Sequence, residues 1–258
     1  MNADQGVGQG RTGMARPDLT GRVIVVAGAS GAAGPPLVEQ LARAGALVVA
    51  AGRSAENLAP VLKAGNTAGS ASGQGRVVPA VIDLFDEPAV QEWAHALVTE
   101  HGRVDGLFHL VGGWRGGAGI VESDLADWRW LHDLLIVTLQ HTTRAFHDAI
   151  RDAGGRLAIV STPQAQAPTA KNAAYATAKA ASEAWTLAVA HSWRDSDAAA
   201  VIVQVKALLT DAMREAKPQA KFAGYTHVDE LASSLVTLWE SPAADLNGTR
   251  LCLTPPAA

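Results

Sequence analysis

Short apolar runs alternate with longer amphipathic stretches along most of the chain. The apolar runs are nearly continuous in Val, Ile, Leu and Ala, which is typical of strands buried on both faces. The segments that predict strands are 22–28, 46–52, 76–84, 104–113, 156–162, 199–207 and 248–254. Because helical stretches separate them, the pattern predicts one doubly wound α/β domain: a parallel sheet of about seven strands with helices on both faces.

The stretches between the strands predict six main helices. They cover residues 35–45, 54–65, 87–102, 123–151, 172–193 and 227–241. Ser54 has the side chain and the position of an N-cap. The Gly- and Ser-rich segment Asn66–Gly75 predicts a flexible surface loop. The polar, Gly-rich residues 1–18 predict a disordered tail, which leaves residues 19–258 as the folded domain.

Composition excludes several classes of function. Of the 258 residues, 48% are hydrophobic and 18% charged, which fits a globular protein. The formal net charge of −4 gives no basic surface for nucleic acid or an anionic membrane. The single cysteine, Cys252, rules out an internal disulfide. No apolar run is long enough to span a bilayer and the N-terminus has no hydrophobic signal core, so we expect a cytoplasmic protein.

A glycine-rich turn joins the first strand to the first helix. Gly28, Gly31 and Gly34 are spaced three residues apart in "GASGAAGPP". Glycine allows a tight turn and lets a pyrophosphate approach the amides of a helix N-terminus. The same turn could simply pack the helix against the strand, but its place in the first βα unit favours a dinucleotide site.

The end of the second strand bears on the choice of cofactor. Sites for NAD usually place a carboxylate here, whereas a 2′-phosphate is bound by arginine. Arg53 stands at the strand tip, and the first acid, Glu56, already lies in the helix. The sequence therefore favours NADP(H), with NAD(H) possible and with a solvent-exposed helix-start arginine as the alternative interpretation of Arg53.

Tyr175 and Lys179 are four residues apart on the helix after strand five. This spacing puts both side chains on one helix face. A phenol has a pKa of about 10, and we expect the neighbouring ammonium to lower it. Such a pair can exchange a proton with a carbonyl or alcohol oxygen while a nicotinamide exchanges hydride.

Together these motifs resemble the short-chain dehydrogenase/reductase family over nearly all of Leu19–Thr254. The resemblance rests on "DLTGRVIVVAGAS", on the strand-three end at Asp83 and Leu84, on "AAYATAKAA" and on "LNGTRLCL". It implies a Rossmann-type fold, a nicotinamide cofactor, Tyr175 as acid/base, Lys179 as its activator and cofactor-ribose ligand, and a homodimer or homotetramer. The residues expected at the cofactor are Gly28, Ser30, Gly31, Ala32, Gly34, Arg53, Asp83, Leu84, Val111, Gly112, Gly113, Tyr175, Lys179, Leu208 and Thr210.

The chain departs from the family pattern at three places. "HLVGG" puts His109 and Leu110 where the family has asparagines, and we expect His109 to be a hydrogen-bonded core residue rather than a base. Leu135 replaces the asparagine that supports a proton relay, with Thr138 as the nearest polar residue. The Pro-Gly after strand six is missing, which leaves Thr210 and nearby backbone amides to hold the carboxamide.

The substrate-orienting hydroxyl has two candidates. Family spacing, thirteen residues before the tyrosine, points to Thr162, although serine is the commoner residue in this role and Ser161 precedes it. Alternation along a strand lets only one of them face the substrate unless the chain bends there. Either could instead be a strand-end hydroxyl bonded to backbone. Lys171 is expected in solvent.

Other aromatic and histidine residues have simpler interpretations. Trp114 and Arg115 form either a wall of the substrate pocket or a loop anchor. Trp128 and Trp130 are expected in packing and in contacts between subunits. The remaining histidine pair, at positions 141 and 147, lacks a third ligand, so no metal site is predicted.

Three functions remain open. The first is an oxidoreductase that acts on a small carbonyl or alcohol through Tyr175, Lys179 and Thr162 or Ser161. The second is a nucleotide-binding sensor or partner protein with little catalysis, which the departures at Leu135 and "HLVGG" favour. The third is narrower: "VGGWRGG" and "LLTDAMREAKP" are similar to quinonoid dihydropteridine reductases, although those favour NADH through an acid that this chain lacks.

Overall fold

Within residues 17–253, which the computed structural model describes, seven parallel strands form the central sheet. The strands in chain order are Val23–Ala27 (β1), Leu47–Gly52 (β2), Arg76–Val81 (β3), Gly106–His109 (β4), Arg156–Ser161 (β5), Ala199–Gln204 (β6), Leu208–Leu209 (β7), Thr226–His227 (β8) and Arg250–Cys252 (β9). The sheet order is β3-β2-β1-β4-β5-β6-β9, so the chain changes direction between β1 and β4. Ligands of doubly wound folds bind at this switch point.

Helices cover both faces of the sheet. They are Gly34–Arg43 (α1), Ala55–Ser72 (α2), Glu87–His101 (α3), Leu125–His132 (α4), Thr138–Asp152 (α5), Ala173–Ser192 (α6), Asp211–Ala216 (α7), Val228–Val236 (α8) and Ala243–Leu246 (α9). On one face α1, α2 and α8 bury Leu37, Leu58 and Leu231. On the other face α3, α5 and α6 contribute to a second core around Phe146 and Trp193. The predicted Rossmann-type α/β fold is confirmed.

Side-chain caps fix where several helices begin. Ser54 Oγ accepts a hydrogen bond from the Asn57 amide at 3.3 Å, as predicted, and Asp86 accepts one from the Ala89 amide at 3.1 Å. Both caps follow the carboxyl end of a strand, so they hold α2 and α3, the helices of the second and third crossovers, in place against the sheet.

The predicted loop at Asn66–Gly75 is wrong for most of its length, because α2 continues to Ser72. Gly69 serves close packing here, because a β-carbon there would lie 2.3 Å from the Gly75 carbonyl oxygen. Gly73 ends the helix with a φ of +82°. Gly65, the last residue of the predicted helix, also serves close packing. A β-carbon at Gly65 would lie 2.6 Å from a methyl carbon of Val77. Asn66 also hydrogen-bonds both the amide and the carbonyl of Val77, at 2.9 and 3.0 Å, which ties the helix to β3.

The single long helix predicted for residues 123–151 is also wrong in detail. A π-helical segment, Asp133–Val137, separates α4 from α5. Pairing between β7 and β8 is a further feature that the sequence pattern did not predict.

Residues 1–16 of the predicted tail lie outside the described residues. No helix within residues 17–253 combines the length and the apolar character that crossing a membrane requires.

Candidate active site

Two adjacent cavities run along the carboxyl edge of the sheet. The larger has a volume of about 520 Å³ and the smaller about 240 Å³. They share the lining residues Gly28, Gly31, Leu110, Val111 and Gly112. The two cavities are therefore parts of one groove that crosses the switch point between β1 and β4, a shape that suits an extended ligand with two ends.

The glycine-rich turn forms the floor of this groove. Gly28 has a φ of +81°, and a β-carbon there would lie 3.0 Å from the main-chain nitrogen of Val111. Gly28 and Gly31 line both cavities, and Ala32 lines the larger. Gly34 lines neither, since its role is packing: a β-carbon there would overlap the carbonyl oxygen of Ala29.

The smaller cavity gathers the residues predicted at the adenosine end of the cofactor. Ser30, Arg53, Asp83 and Leu84 all line it. Arg53 is exposed and takes part in no ion pair within residues 17–253. Asp83, in contrast, already accepts a hydrogen bond from the Phe85 amide at 3.1 Å. This end of the groove thus offers a cation with free donors.

Tyr175 and Lys179 both line the larger cavity from α6. Lys179 is buried, and its Nζ donates a hydrogen bond to the Val160 carbonyl oxygen at 2.7 Å. Burial lowers the pKa of Lys179 to about 8, while the charge of Glu183 acts in the opposite direction.

The expectation that Lys179 lowers the pKa of Tyr175 is not met. Burial raises the pKa of Tyr175 to about 12. Nζ of Lys179 lies 5.9 Å from the centroid of the tyrosine ring. In the chain by itself, desolvation of the phenolate therefore outweighs the nearby ammonium, and the phenol keeps its proton at neutral pH.

The two candidate hydroxyls have different surroundings. Ser161 lines the larger cavity and donates a hydrogen bond to Glu183 Oε1 at 2.5 Å. Thr162 does not line that cavity; its Oγ1 accepts a hydrogen bond from the Gln164 amide at 3.4 Å and caps a short 3-10 helix. Family spacing pointed to Thr162, but the structure brings Ser161 beside Tyr175 and Lys179.

The residues at the family's asparagine positions form a buried polar pair and an apolar cluster. His109 is 4% exposed, and its ring nitrogens contact Thr138 Oγ1 at 3.2 Å and Thr142 Oγ1 at 3.1 Å. This confirms a hydrogen-bonded core histidine. Burial lowers its pKa to about 3, with a smaller contribution from the charge of Lys179, so the ring stays neutral. Leu135 lies in an apolar cluster and Thr138 is engaged by His109.

Trp114 and Arg115, which lie on the loop above the larger cavity, have different roles: one forms a wall of the cavity and the other anchors the loop. Trp114 lines the cavity and is 61% exposed. Arg115 is the loop anchor: its guanidinium lies 4.2 Å from the centroid of the Trp130 ring and pairs with Asp127 at 3.3 Å. Trp128 packs on the same cluster as Trp130, and a subunit contact there stays a prediction.

Leu208 and Thr210, both predicted near the carboxamide of the cofactor, differ in their position relative to the larger cavity. Leu208 lines the larger cavity, whereas the Thr210 side chain caps α7 by accepting a hydrogen bond from the Met213 amide at 3.2 Å. Gly113 also lines that cavity, and Lys171 is exposed, as expected.

Sequence reasoning missed several residues of the site. Gln164, Lys206 and Tyr225 line the larger cavity, and Glu183 lies behind Ser161. Gln164 lies in the short 3-10 helix capped by Thr162, Lys206 and Tyr225 lie on loops, and none of the three follows a sequence pattern. Glu183, one helical turn after Lys179, had one signal: it is an acid on the helix face predicted to point inward.

The two histidines considered as metal ligands, His141 and His147, have other partners. Within residues 17–253 no group of three or more His, Cys, Asp or Glu side chains could hold an ion. His141 instead contacts the Leu84 carbonyl oxygen at 2.9 Å, and His147 contacts Asp148 and Ser192, each at 2.8 Å.

Comparison with known proteins gives the class. The sequence profile described as short chain dehydrogenase matches residues 22–221, so the chain belongs to the short-chain dehydrogenase family of oxidoreductases. Enzymes of this family use a nicotinamide dinucleotide cofactor and act on small molecules.

Two relatives matched by sequence are distant from this chain. The chain is 27% identical over 171 residues to 11-beta-hydroxysteroid dehydrogenase A of Sesamum indicum, a match covering 64% of this chain and 46% of that protein. It is 27% identical over 165 residues to an uncharacterised oxidoreductase of Staphylococcus saprophyticus, covering 64% and 68%. The chain thus matches only about half to two thirds of these relatives' length.

Solved structures share the fold. A short-chain oxidoreductase with an atypical catalytic centre from Pseudomonas aeruginosa PAO1, solved with NADPH, superposes with a TM-score of 0.82 at 21% identity, covering 94% of this chain and 98% of that one. An NAD⁺-bound xylitol dehydrogenase gives 0.75 at 18% identity, covering 92% and 98%. The residues present fit such a cofactor, because Gly28 leaves the groove floor free of a side chain beside Val111.

Proposed function

We propose that the protein is an NADP(H)-dependent oxidoreductase that interconverts a small carbonyl compound and its alcohol. The observation that carries this proposal is the convergence of Tyr175, Lys179 and Ser161 on the cavity whose floor is the glycine-rich turn. When bound, the reduced nicotinamide supplies a hydride to the carbonyl carbon. The chain's own residues then have to bind the substrate and manage one proton.

Tyr175 is the proposed proton donor to the carbonyl oxygen, and in the reverse direction it accepts the alcohol proton. Its raised pKa keeps the phenol protonated at neutral pH, which suits the reductive direction. Lys179 has three donors, of which one bonds to Val160, so two remain for the cofactor ribose. Ser161, beside them, is the proposed substrate-orienting hydroxyl rather than Thr162.

The proposed preference for NADP(H) rests on Arg53. Its exposed guanidinium at the smaller cavity can form charge-assisted hydrogen bonds with a 2′-phosphate. Solved relatives carry either NADPH or NAD⁺, so the fold itself does not favour one cofactor. NAD(H) is the alternative cofactor.

The test compares the wild-type chain with Tyr175→Phe. NADPH oxidation is followed against a panel of aldehydes, ketones and diones, and NADPH affinity is measured for both proteins. We expect Tyr175→Phe to lower kcat by about 10²- to 10⁴-fold with NADPH affinity unchanged. Equal rates for both proteins on every turned-over compound would remove Tyr175 from the chemistry.

The second candidate function is a nucleotide-binding protein with little catalysis. The buried Leu135 favours it, because an apolar cluster occupies the position of the relay asparagine. This candidate predicts NADPH binding without turnover of any compound in the panel.

The narrower candidate is a dihydropteridine reductase, which Trp114 on the cavity wall favours. An assay of quinonoid dihydropterin with NADPH or NADH tests it directly. We also propose a homodimer or homotetramer, which light scattering would test.

A further inference from the structure

A buried hydrogen-bond cluster lies behind Ser161. Its centre is Glu183, which is 2% exposed. Oε1 accepts hydrogen bonds from Ser161 Oγ at 2.5 Å and Gln204 Nε2 at 3.1 Å. Oε2 accepts them from Gln166 Nε2 at 2.5 Å and Arg250 Nε at 2.7 Å. We call these five residues the Glu183 cluster.

The direction of each bond in the Glu183 cluster is determined. Arg250 can only donate, and it brings a positive charge to the carboxylate. Gln204 also donates to Gln166 Oε1 at 2.6 Å, which fixes the amide of Gln166 with its NH₂ towards Glu183. Both carboxylate oxygens therefore already accept N–H donors. Glu183 is ion-paired with Arg250 and, as a carboxylate, can only accept, so the Ser161 hydroxyl is the donor in its bond to Glu183.

Ser161 consequently faces the cavity as an acceptor. A serine hydroxyl has one proton and two lone pairs, and the Ser161 proton is held by Glu183. The reacting carbonyl oxygen needs a donor, which Tyr175 can supply and Ser161 cannot. The lone pairs of Ser161 must then meet a different part of the substrate.

We propose that Glu183 is a positioning residue that makes Ser161 a hydrogen-bond acceptor, and that the site accordingly prefers carbonyl substrates with an N–H or O–H donor close to the reacting carbon. This inference rests on the proposed function and names its substrate class. A substrate with a hydrogen-bond acceptor close to the reacting carbon would place its lone pairs against those of Ser161 Oγ. This repulsion disfavours binding of such a substrate.

The test measures binding rather than turnover. Isatin carries a ring N–H near its ketone, and N-methylisatin replaces that hydrogen with a methyl group. Dissociation constants for both are measured by calorimetry on the full chain saturated with NADP⁺, which has no hydride to transfer. For the wild-type chain we expect isatin to bind roughly five- to tenfold tighter, as one hydrogen bond to Ser161 allows.

Variants separate the hydrogen bond from the bulk of the methyl group. Glu183→Gln keeps the side-chain volume, but its amide can donate to Ser161 Oγ and release the serine proton towards the cavity. Isatin and N-methylisatin should then bind with about equal affinity. Ser161→Cys enlarges the side chain and weakens the acceptor, so the preference falls if the hydrogen bond causes it and rises if steric exclusion does. Arg250→Gln perturbs the cluster without breaking the Ser161–Glu183 bond and should retain the preference.

Several results would overturn the inference: equal affinities for the two compounds in the wild-type chain, no measurable isatin binding, or an unchanged preference in Ser161→Cys. The cysteine variant decides the matter if Glu183→Gln does not fold. Failure of the proposed function has a separate signature, which is the absence of NADPH oxidation with every carbonyl compound in the panel.

Discussion

Lys179 Nζ donates a hydrogen bond to the main-chain carbonyl oxygen of Val160 at 2.7 Å. Val160 belongs to the strand that leads into Ser161, so this bond joins the helix bearing Tyr175 to the strand bearing the hydroxyl. The bond also holds the ammonium inside the cavity, where burial lowers its pKa to about 8. Two consequences, for cofactor binding and for pH, follow from this position.

We predict that NADPH affinity falls above about pH 8, where Lys179 loses its proton. A neutral amine binds the cofactor less well than the ammonium, so the dissociation constant should rise several-fold from about pH 7.5 to 9.5. Fluorescence titration across this range measures it. Lys179→Met should show a flat profile with weak binding, whereas the exposed Lys171→Met should match wild type. A flat profile for wild type would contradict a lysine contact with the cofactor.

Arg53 provides the second prediction. Replacing Arg53 with alanine should weaken NADPH binding by about 10- to 100-fold, because one charge-assisted contact to the 2′-phosphate is lost. NADH lacks that phosphate, so its affinity should stay unchanged and serves as the internal control. Calorimetry with both cofactors measures the ratio. An equal loss for the two cofactors would show that Arg53 acts on folding or on a shared part of the cofactor.

Gly34 and Gly112 should respond differently to replacement by alanine. A β-carbon at Gly34 would overlap the Ala29 carbonyl, so Gly34→Ala should lower the free energy of unfolding by about 1–3 kcal/mol. At Gly112 a β-carbon would meet only the Leu110 carbonyl oxygen at 3.7 Å, an ordinary contact, but Gly112 lines both cavities. Gly112→Ala should therefore fold normally and bind NADPH weakly. Urea unfolding and cofactor titration distinguish them, and the reverse pattern would contradict these roles.

The sequence predicted the seven-strand sheet because its inner strands, β1, β2, β4, β5 and β6, are largely buried and leave continuous apolar runs. The two edge strands, β3 and β9, are partly exposed, and their place in the alternation with helices identified them. Local motifs likewise located the glycine turn and the pair Tyr175 and Lys179. The end of α2 was missed because a glycine that allows close packing looks like one that marks a flexible loop: Gly69 lies within α2 and lets the helix approach Gly75.

Other features of the site depend on distant partners. Glu183 accepts a hydrogen bond from Arg250, which is 67 residues away, and no local sequence pattern predicts that contact. The raised pKa of Tyr175 follows from burial, which spacing on a helix does not describe. Whether Ser161 or Thr162 faces the cavity depends on where β5 ends, and predicted element ends are the least reliable part of a sequence interpretation.

His109 gives the fourth prediction, which concerns stability against pH. Its pKa is about 3 in the folded chain and about 6.5 in an unfolded one, so the unfolded chain binds more protons between these values. The free energy of unfolding should thus fall as the pH drops through this window, by about 2–3 kcal/mol at pH 4.5 from this group. His109→Gln cannot take up the proton, so it should lose less stability between neutral pH and about pH 4.5 than wild type does.

Urea unfolding at the two pH values measures this difference. The control is His95→Gln, which replaces an exposed histidine of α3 and leaves His109 in place. If wild type and His109→Gln lose stability in parallel, the imidazole between Thr138 and Thr142 must accept a proton in the folded chain. That result would contradict a neutral His109, and the hydroxyls of Thr138 and Thr142, which already donate to main-chain carbonyl oxygens, would then accept from both ring nitrogens.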